Sequence, residues 1–262
     1  MKTYPIFLIN LDGSSARLHA AEKALKHSGR NYTRISAYDG RQVDPMTVDD
    51  YDAYGARGYM GRDLNGGEIG CYYSHIRAAK AFLETGAPFG LVLEDDMQPN
   101  SQAFELTQAL IDWQNSVGTP DWYLANLAAH RLKITTDVTQ IAAENMQATV
   151  CRGHYFPMRT TALLWTRQGA EEFLKVSLPM TCPVDNFARR WLTTIDKGIT
   201  TTPALFTTTG AQSDIDTSRT TQKRGKQNRA AFCGFKKIRR MYGDKLRALR
   251  HKIRFTLRSR SK

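Results

Sequence analysis

Long apolar runs are missing from this chain of 262 residues. No window approaches the roughly 18 to 20 consecutive apolar residues that a membrane-spanning helix needs, which excludes a helical span. The opening stretch from Met1 to Asn10 is basic and then apolar, but its apolar run is too short for a signal peptide and is interrupted by Asn10 and Asp12, so it reads as a first β-strand. Cysteine is scarce as well. Cys71, Cys151, Cys182 and Cys233 are widely spaced with no Cys-x-x-Cys pair, which argues against a zinc site or a disulfide frame and for free thiols in a reducing compartment. Acidic residues are nearly absent from one region only: residues 219–262 hold 17 Lys and Arg against a single acid, Asp244. The net charge of +12 is therefore local, because residues 1–218 hold 20 basic and 24 acidic residues, which gives −4. That shift sets a boundary near Ser218, dividing a slightly acidic body (1–218) from a basic tail (219–262). No internal repeat is visible.

What is present is enough for a core, with 41% hydrophobic residues and a length that suits one large domain with an appendage. Strands are expected at Tyr4–Asn10, Tyr32–Ala37, Leu91–Leu93, Trp122–Ala125, Gln147–Cys151, Ala162–Thr166 and Thr200–Leu205. Helices are expected at Ser15–His27, from about Glu68 through Phe82, at Ser101–Val117, at Gln168–Val176 and at Asp185–Thr194. Residues 41–65 show no clear period and read as loop or short helices. The alternation indicates an α/β domain with a largely parallel sheet, whose ligands sit beyond the carboxyl ends of strands. Asn10, Asp39 and the run Glu94-Asp95-Asp96 fall at such positions.

In Leu91–Asp96 a short apolar run ends in three adjacent carboxylates. Adjacent carboxylates repel one another, and a hard divalent cation such as Mg²⁺ or Mn²⁺ relieves that repulsion because it prefers carboxylate oxygen. The plainer alternative is a solvated acidic turn. Upstream, Gly66-Gly67-Glu68-Ile69-Gly70-Cys71-Tyr72-Tyr73-Ser74-His75 combines glycines that permit close backbone approach with an acid suited to a helix N-terminus. Taken alone, His75 reads as a satisfied, partly buried histidine.

Together, Gly67-Glu68-Ile69-Gly70-Cys71, Ser74-His75 and Leu93-Glu94-Asp95-Asp96 resemble glycosyltransferase family 25, which includes lipooligosaccharide galactosyltransferases and collagen galactosyltransferases. Ile9-Asn10-Leu11-Asp12 with Arg17 is similar to the family's opening motif, and Ile35-Ser36-Ala37-Tyr38-Asp39-Gly40 to its second. Later landmarks are His154-Tyr155, Gly169-Ala170, Pro183-Val184-Asp185-Asn186-Phe187 and Ser213-Asp214-Ile215. The resemblance covers about residues 4–218. It implies a GT-A-like nucleotide-sugar fold, a UDP-sugar donor and transfer with inversion, giving a β linkage.

Under that resemblance, Mn²⁺ or Mg²⁺ stabilises the charge that develops on the departing diphosphate. Asp96 is assigned to the metal, Glu94 to metal or ribose, and Asp95 serves as the alternate ligand. Asn10, Leu11 and Arg17 are placed at uridine or diphosphate, Asp39 at base or ribose, and Ser74 and His75 at the donor site. No late histidine occurs among residues 200–220 to complete the metal shell. Asp185 is the candidate base for the acceptor hydroxyl, and a helix-capping role suits its position equally well.

In the tail, Phe232, Phe235, Ile238, Tyr242, Leu246, Leu249, Ile253 and Leu257 recur every three or four residues among Lys and Arg. That is a basic amphipathic helix. It suits the anionic inner-membrane surface, with packing on the body as the alternative; no base-reading module supports nucleic acid. The resulting expectation is an enzyme on the cytoplasmic face of the inner membrane, moving galactose from UDP-galactose (or glucose from UDP-glucose) onto a lipooligosaccharide or related glycan. The competing class is a non-catalytic membrane or polyanion adaptor that keeps the transferase fold.

Overall fold

All five residues of β1 (Ile6–Asn10) are buried, as expected of a strand covered on both faces. The structure, a computed structural model, describes residues 4–210 and 233–259. Beyond β1 the strands are β2 (Thr33–Ser36), β3 (Phe89–Glu94), β4 (Met97–Pro99), β5 (Leu124–Asn126), β6 (Thr135–Ala143), β7 (Met146–Gly153), β8 (Ala162–Thr166), β9 (Gly198–Thr202) and β10 (Phe206–Thr208). The helices are α1 (Ser15–His27), α2 (Ala53–Met60), α3 (Gly66–Glu84), α4 (Ala103–Val117), α5 (Arg167–Val176), α6 (Val184–Ile195) and α7 (Cys233–Ser259).

Eight strands form one sheet in the order β2-β1-β3-β8-β5-β9-β7-β6, while β4 and β10 make a separate antiparallel ribbon. β1 runs parallel to both β2 and β3, and β5 parallel to β9. β8 and β7 run against their neighbours. The sheet is thus mostly parallel in strand direction, with two reversed strands. β1 has β2 on one side and β3 on the other, so the winding of the chain reverses there. A crevice beyond the carboxyl ends of the strands is the usual ligand position at such a switch.

Alternation along β1 and β3 divides the core. Ile6 and Leu8, with Leu91 and Leu93, face a layer that includes Leu25 of α1 and Leu110 of α4. Phe7 and Ile9, with Val92, face Phe82 of α3 and Phe173 of α5. The period of two and two covered faces explain why both strands read as unbroken apolar runs.

α1 and β8 match the expected bounds, and the α/β expectation holds. The other differences have local causes. α3 begins at Gly66 rather than Glu68, because Asn65 caps it. Residues 41–65 contain a 3-10 turn at Pro45–Thr47 and the short helix α2. The expected strand at Thr200–Leu205 is two strands, β9 and β10, separated at Pro203, whose ring supplies no ladder donor. β6 went unforeseen because five of its nine residues are polar and only Ile141 is buried. Among the described residues no helix is long and apolar enough to cross a membrane, and Cys71, Cys151 and Cys182 are free thiols. The boundary near Ser218, the Ser213-Asp214-Ile215 landmark and Phe232 lie outside the described residues.

Candidate active site

The local sequence around α3 builds one wall of the site. The Asn65 side chain accepts from the Glu68 amide at 2.8 Å and Glu68 accepts from the Asn65 amide at 3.0 Å, a reciprocal capping box. Arg62 holds the same Glu68 carboxylate at 2.5 and 2.7 Å. Three glycines then bring the loop after β2 onto the first turns of α3. A Cβ on Gly40 would overlap the Gly66 carbonyl, and one on Gly70 would lie 2.5 Å from the Tyr38 carbonyl. Backbone cannot move aside as a side chain can, so these positions need glycine. Ser74 fastens the contact, its hydroxyl donating to Gly70 O at 2.6 Å and accepting from the Tyr38 amide at 2.9 Å. Its polar atoms are thus occupied by the wall itself.

Opposite this wall, the carboxyl ends of β1 and β3 complete an open cleft. Asn10, Leu11, Arg17, Asp39, Ser74, His75 and Glu94–Asp96 all line it, so all nine residues expected at donor or metal meet in one place. Asp39 sits at the exposed lip and is held by the Arg41 guanidinium at 2.6 and 2.9 Å, which keeps its carboxyl below the usual carboxylate range.

The three adjacent carboxylates have three different environments. Asp95 is buried and accepts from Asn10 Nδ2 at 2.7 Å and from the Arg17 guanidinium. Asn10 is itself positioned by Arg34, whose Nη2 donates to Asn10 Oδ1 at 2.9 Å. Glu94 Oε1 lies 3.1 Å from His75 Nε2 and accepts from the Thr160 hydroxyl at 2.6 Å. Burial pushes Glu94 up, but His75, Thr160 and Arg17 outweigh it and hold the carboxyl below its ordinary value. Asp96 has no such donors: its Oδ1 is buried with no hydrogen-bond partner. Burial and the neighbouring Glu94 charge, reinforced by Asp95 and opposed by Arg17, raise its pKa to about 6. A buried carboxylate oxygen without a partner calls for a ligand.

That orphan oxygen is the test of whether the site fits a divalent cation, and it does fit. Asp96 offers an oxygen without a hydrogen-bond partner, with Glu94 two residues away, an oxygen set suited to Mg²⁺ or Mn²⁺. A second grouping brings donor atoms of Cys71, His75 and Glu94 within 4.8 Å of one another. There burial, with the charges of Glu94, Asp185, Glu68 and Asp96 adding to it, pushes the Cys71 thiol well up, which disfavours the thiolate that a metal needs. His75 Nδ1, buried, also lacks a partner.

Asp185 is not among the residues lining this cleft. It lies in the first turn of α6 after Pro183, and no side chain caps that helix. Its Oδ1 accepts instead from the Asn186 amide at 2.6 Å and the Asn186 side chain at 2.9 Å. Burial raises its pKa, and its charge is felt at both Cys71 and Arg62, which places it near the α3 wall. Two further landmarks are packing residues. His154 is fully buried between Thr136 (3.0 Å) and Asp196 (2.8 Å), and a Cβ on Gly169 would overlap the Tyr123 backbone. Thr160 and Arg34 were not singled out from the sequence. Neither sits in a periodic pattern, and each acts through a contact distant in the chain.

The carboxylate cleft lies at strand ends where the winding reverses, the position at which open α/β sheets receive their ligands. The family model described as "Glycosyltransferase family 25 (LPS biosynthesis protein)" matches residues 3–188, from β1 into α6 and including every lining residue above. The chain belongs to glycosyltransferase family 25. It is 25% identical over 187 residues to procollagen galactosyltransferase 1-B of Xenopus laevis and 26% identical over 193 residues to procollagen galactosyltransferase 1 of Danio rerio. Each alignment covers 70% of this chain, which spans 30% of the length of these relatives. The chain is also similar to the crystal structure of a glycosyltransferase involved in glycosylation of the major capsid of PBCV-1, with a TM-score of 0.40, 12% identity, and coverage of 86% of this chain and 98% of that one.

Proposed function

We propose that this glycosyltransferase moves a hexose from a UDP-sugar to a hydroxyl of a lipooligosaccharide or related surface glycan, with inversion and hence a β linkage. UDP-galactose is the leading donor, in keeping with the galactosyltransferase names of the relatives, and UDP-glucose the alternative. The lipooligosaccharide acceptor is in keeping with the family model's description. Residues 1–218 form the GT-A-like catalytic unit and residues 219–262 a tail, and the enzyme works on the cytoplasmic face of the inner membrane. The observation that carries this reading is the buried, unpartnered Oδ1 of Asp96 beside two carboxylates that already have partners.

Asp96, with Glu94, holds a divalent cation. When bound, that cation supplies Lewis-acid stabilisation of diphosphate charge. Without a cation, three clustered carboxylates repel a diphosphate. Arg17 neutralises Asp95 and lends positive charge to the same wall, while Asn10, Leu11 and Asp39 shape the donor end of the cleft. As the acceptor hydroxyl oxygen bonds to the anomeric carbon, the bond from that carbon to the phosphate oxygen breaks and its electron pair leaves with UDP. The hydroxyl proton passes to Asp185, whose burial-raised pKa suits a base that must hold a proton.

The test is a donor screen read by mass spectrometry, pairing UDP-galactose and UDP-glucose with truncated lipooligosaccharide acceptors. Addition of one hexose, lost in EDTA and restored by Mn²⁺ or Mg²⁺, is the expected result. Absence of transfer from both donors, or transfer undiminished in EDTA, overturns the reading.

A further inference from the structure

The basic helix α7 is attached to the body by the side that its apolar stripe does not occupy. At 3.6 residues per turn, Arg240, Asp244, Ala248, His251 and Phe255 fall along one side. Every one of them meets the body or is buried. The Arg240 guanidinium lies 3.9 Å from the Tyr59 ring centroid and donates to the Tyr59 carbonyl. Asp244 and Ala248 are buried. His251 Nε2 lies 3.3 Å from the Thr194 carbonyl, and Phe255 packs 5.6 Å from His154 and 5.4 Å from the Arg152 guanidinium.

The apolar residues lie on roughly the opposite side. Ile238, Tyr242, Leu246, Leu249, Ile253 and Leu257 are between 46% and 60% exposed. Packing of this stripe on the body, the alternative left open by the sequence, does not occur in the structure. Six large apolar side chains on one solvent-facing stripe are far from the single exposed hydrophobics that a surface normally carries. Cations rim the stripe on both edges, with Arg239, Arg250 and Arg254 on one side and Lys245 and Lys252 on the other. Five positive charges beside an apolar face disfavour a second copy of the same face, which would bring like charges together. They complement a surface that is anionic at its plane and apolar beneath it.

We propose that α7 docks the protein on an anionic lipid bilayer, with the Ile238–Leu257 stripe entering the headgroup boundary and the flanking Arg and Lys residues contacting lipid phosphates. Because the opposite side is fixed to α2, α6 and β7, the helix presents this face in one orientation relative to the body. The contribution per rim cation is about fivefold in affinity, the ratio that about 1 kcal/mol gives.

The test is flotation of the full chain with phosphatidylcholine vesicles, with and without phosphatidylglycerol. No sugar donor is present, so the outcome is independent of the transfer reaction. The expected result is flotation with the anionic vesicles only, lost by more than tenfold in the triple variant Leu246→Gln, Leu249→Gln, Ile253→Gln while circular dichroism stays unchanged. A second variant, Arg250→Gln with Arg254→Gln, keeps the stripe and is expected to weaken anionic-vesicle binding about fivefold per cation. Three results overturn the proposal: no flotation of the full chain, equal flotation of the triple variant, or a dimer in light scattering that the triple variant dissociates. Binding to a mixed-sequence RNA in place of vesicles, insensitive to the triple variant, also overturns it and assigns the cations to nucleic acid.

Discussion

Asn10 Nδ2 donates to Asp95 Oδ2 at 2.7 Å, joining the carboxyl ends of two adjacent parallel strands across 85 residues of sequence. With Arg17 on its other oxygen, Asp95 is fully engaged inside the protein. The middle carboxylate of Glu94-Asp95-Asp96 therefore ties β3 to β1 and α1, which leaves its neighbours for the proposed cation. Asn10→Ala removes a donor from a buried carboxylate and is expected to destabilise the protein by about 1–3 kcal/mol, read from the urea midpoint. An unchanged midpoint would mean that this bond contributes nothing to the joint.

Thr160→Val keeps shape and removes the hydroxyl that donates to Glu94. The expected loss at neutral pH is about 1–2 kcal/mol, the range for a hydrogen bond to a charged group. Glu94 has a depressed pKa in the folded state. Its contribution is thus present above the ordinary carboxylate pKa and lost as pH falls through the depressed value. The gap between wild type and variant should close on acidification, and a gap independent of pH would contradict the assignment.

Gly40→Ala forces a Cβ against the Gly66 carbonyl, where only backbone can yield. A loss of about 3 kcal/mol or more, with weakened UDP binding, is expected by thermal unfolding and calorimetry. Gly58→Ala is the control. It lies in α2 with nothing within 4 Å of the added Cβ, and should be neutral or stabilise by up to about 1 kcal/mol. Equal effects at both positions would remove the close-approach explanation.

Asp96 makes an opposite pH prediction. Its folded pKa is raised to about 6, so the fold disfavours its charged form. That penalty is absent below the ordinary carboxylate pKa, grows as pH rises through about 6, and is complete above it. In EDTA, Asp96→Asn is therefore expected to stabilise the protein at about pH 7.5 by roughly 2 kcal/mol, allowing for partial exposure, and to change little near pH 4. A variant less stable than wild type at about pH 7.5 would show that Asp96 has a partner in the fold.

Much of this arrangement was legible in the sequence. The apolar runs of β1 and β3 announce strands covered on both faces, and the carboxylates that end β3 line the cleft at that end of the sheet. The glycines before His75 announce close backbone approach, realised at Gly66 and Gly70 against Tyr38 and Gly40. Asn65 carries no such signal, since a cap acts through a local hydrogen bond that leaves no period. Thr160 and Arg34 were illegible because their partners, Glu94 and Asn10, are 66 and 24 residues distant. The stripe of α7 follows from spacing alone, but which side faces the body depends on Tyr59, Thr194 and His154, residues in unrelated segments. Which of Glu94, Asp95 and Asp96 lacks an internal partner likewise depends on Asn10, Arg17, His75 and Thr160, all distant in the chain.

The most direct test of the cation site is calorimetric titration of UDP into wild type and Asp96→Asn, each with Mn²⁺ and with EDTA. The expected result is Mn²⁺-dependent binding by wild type and a loss of at least about tenfold in the variant, with the variant still folded and no less stable in EDTA. Mn²⁺-dependent binding of UDP by Asp96→Asn at wild-type strength would contradict the assignment.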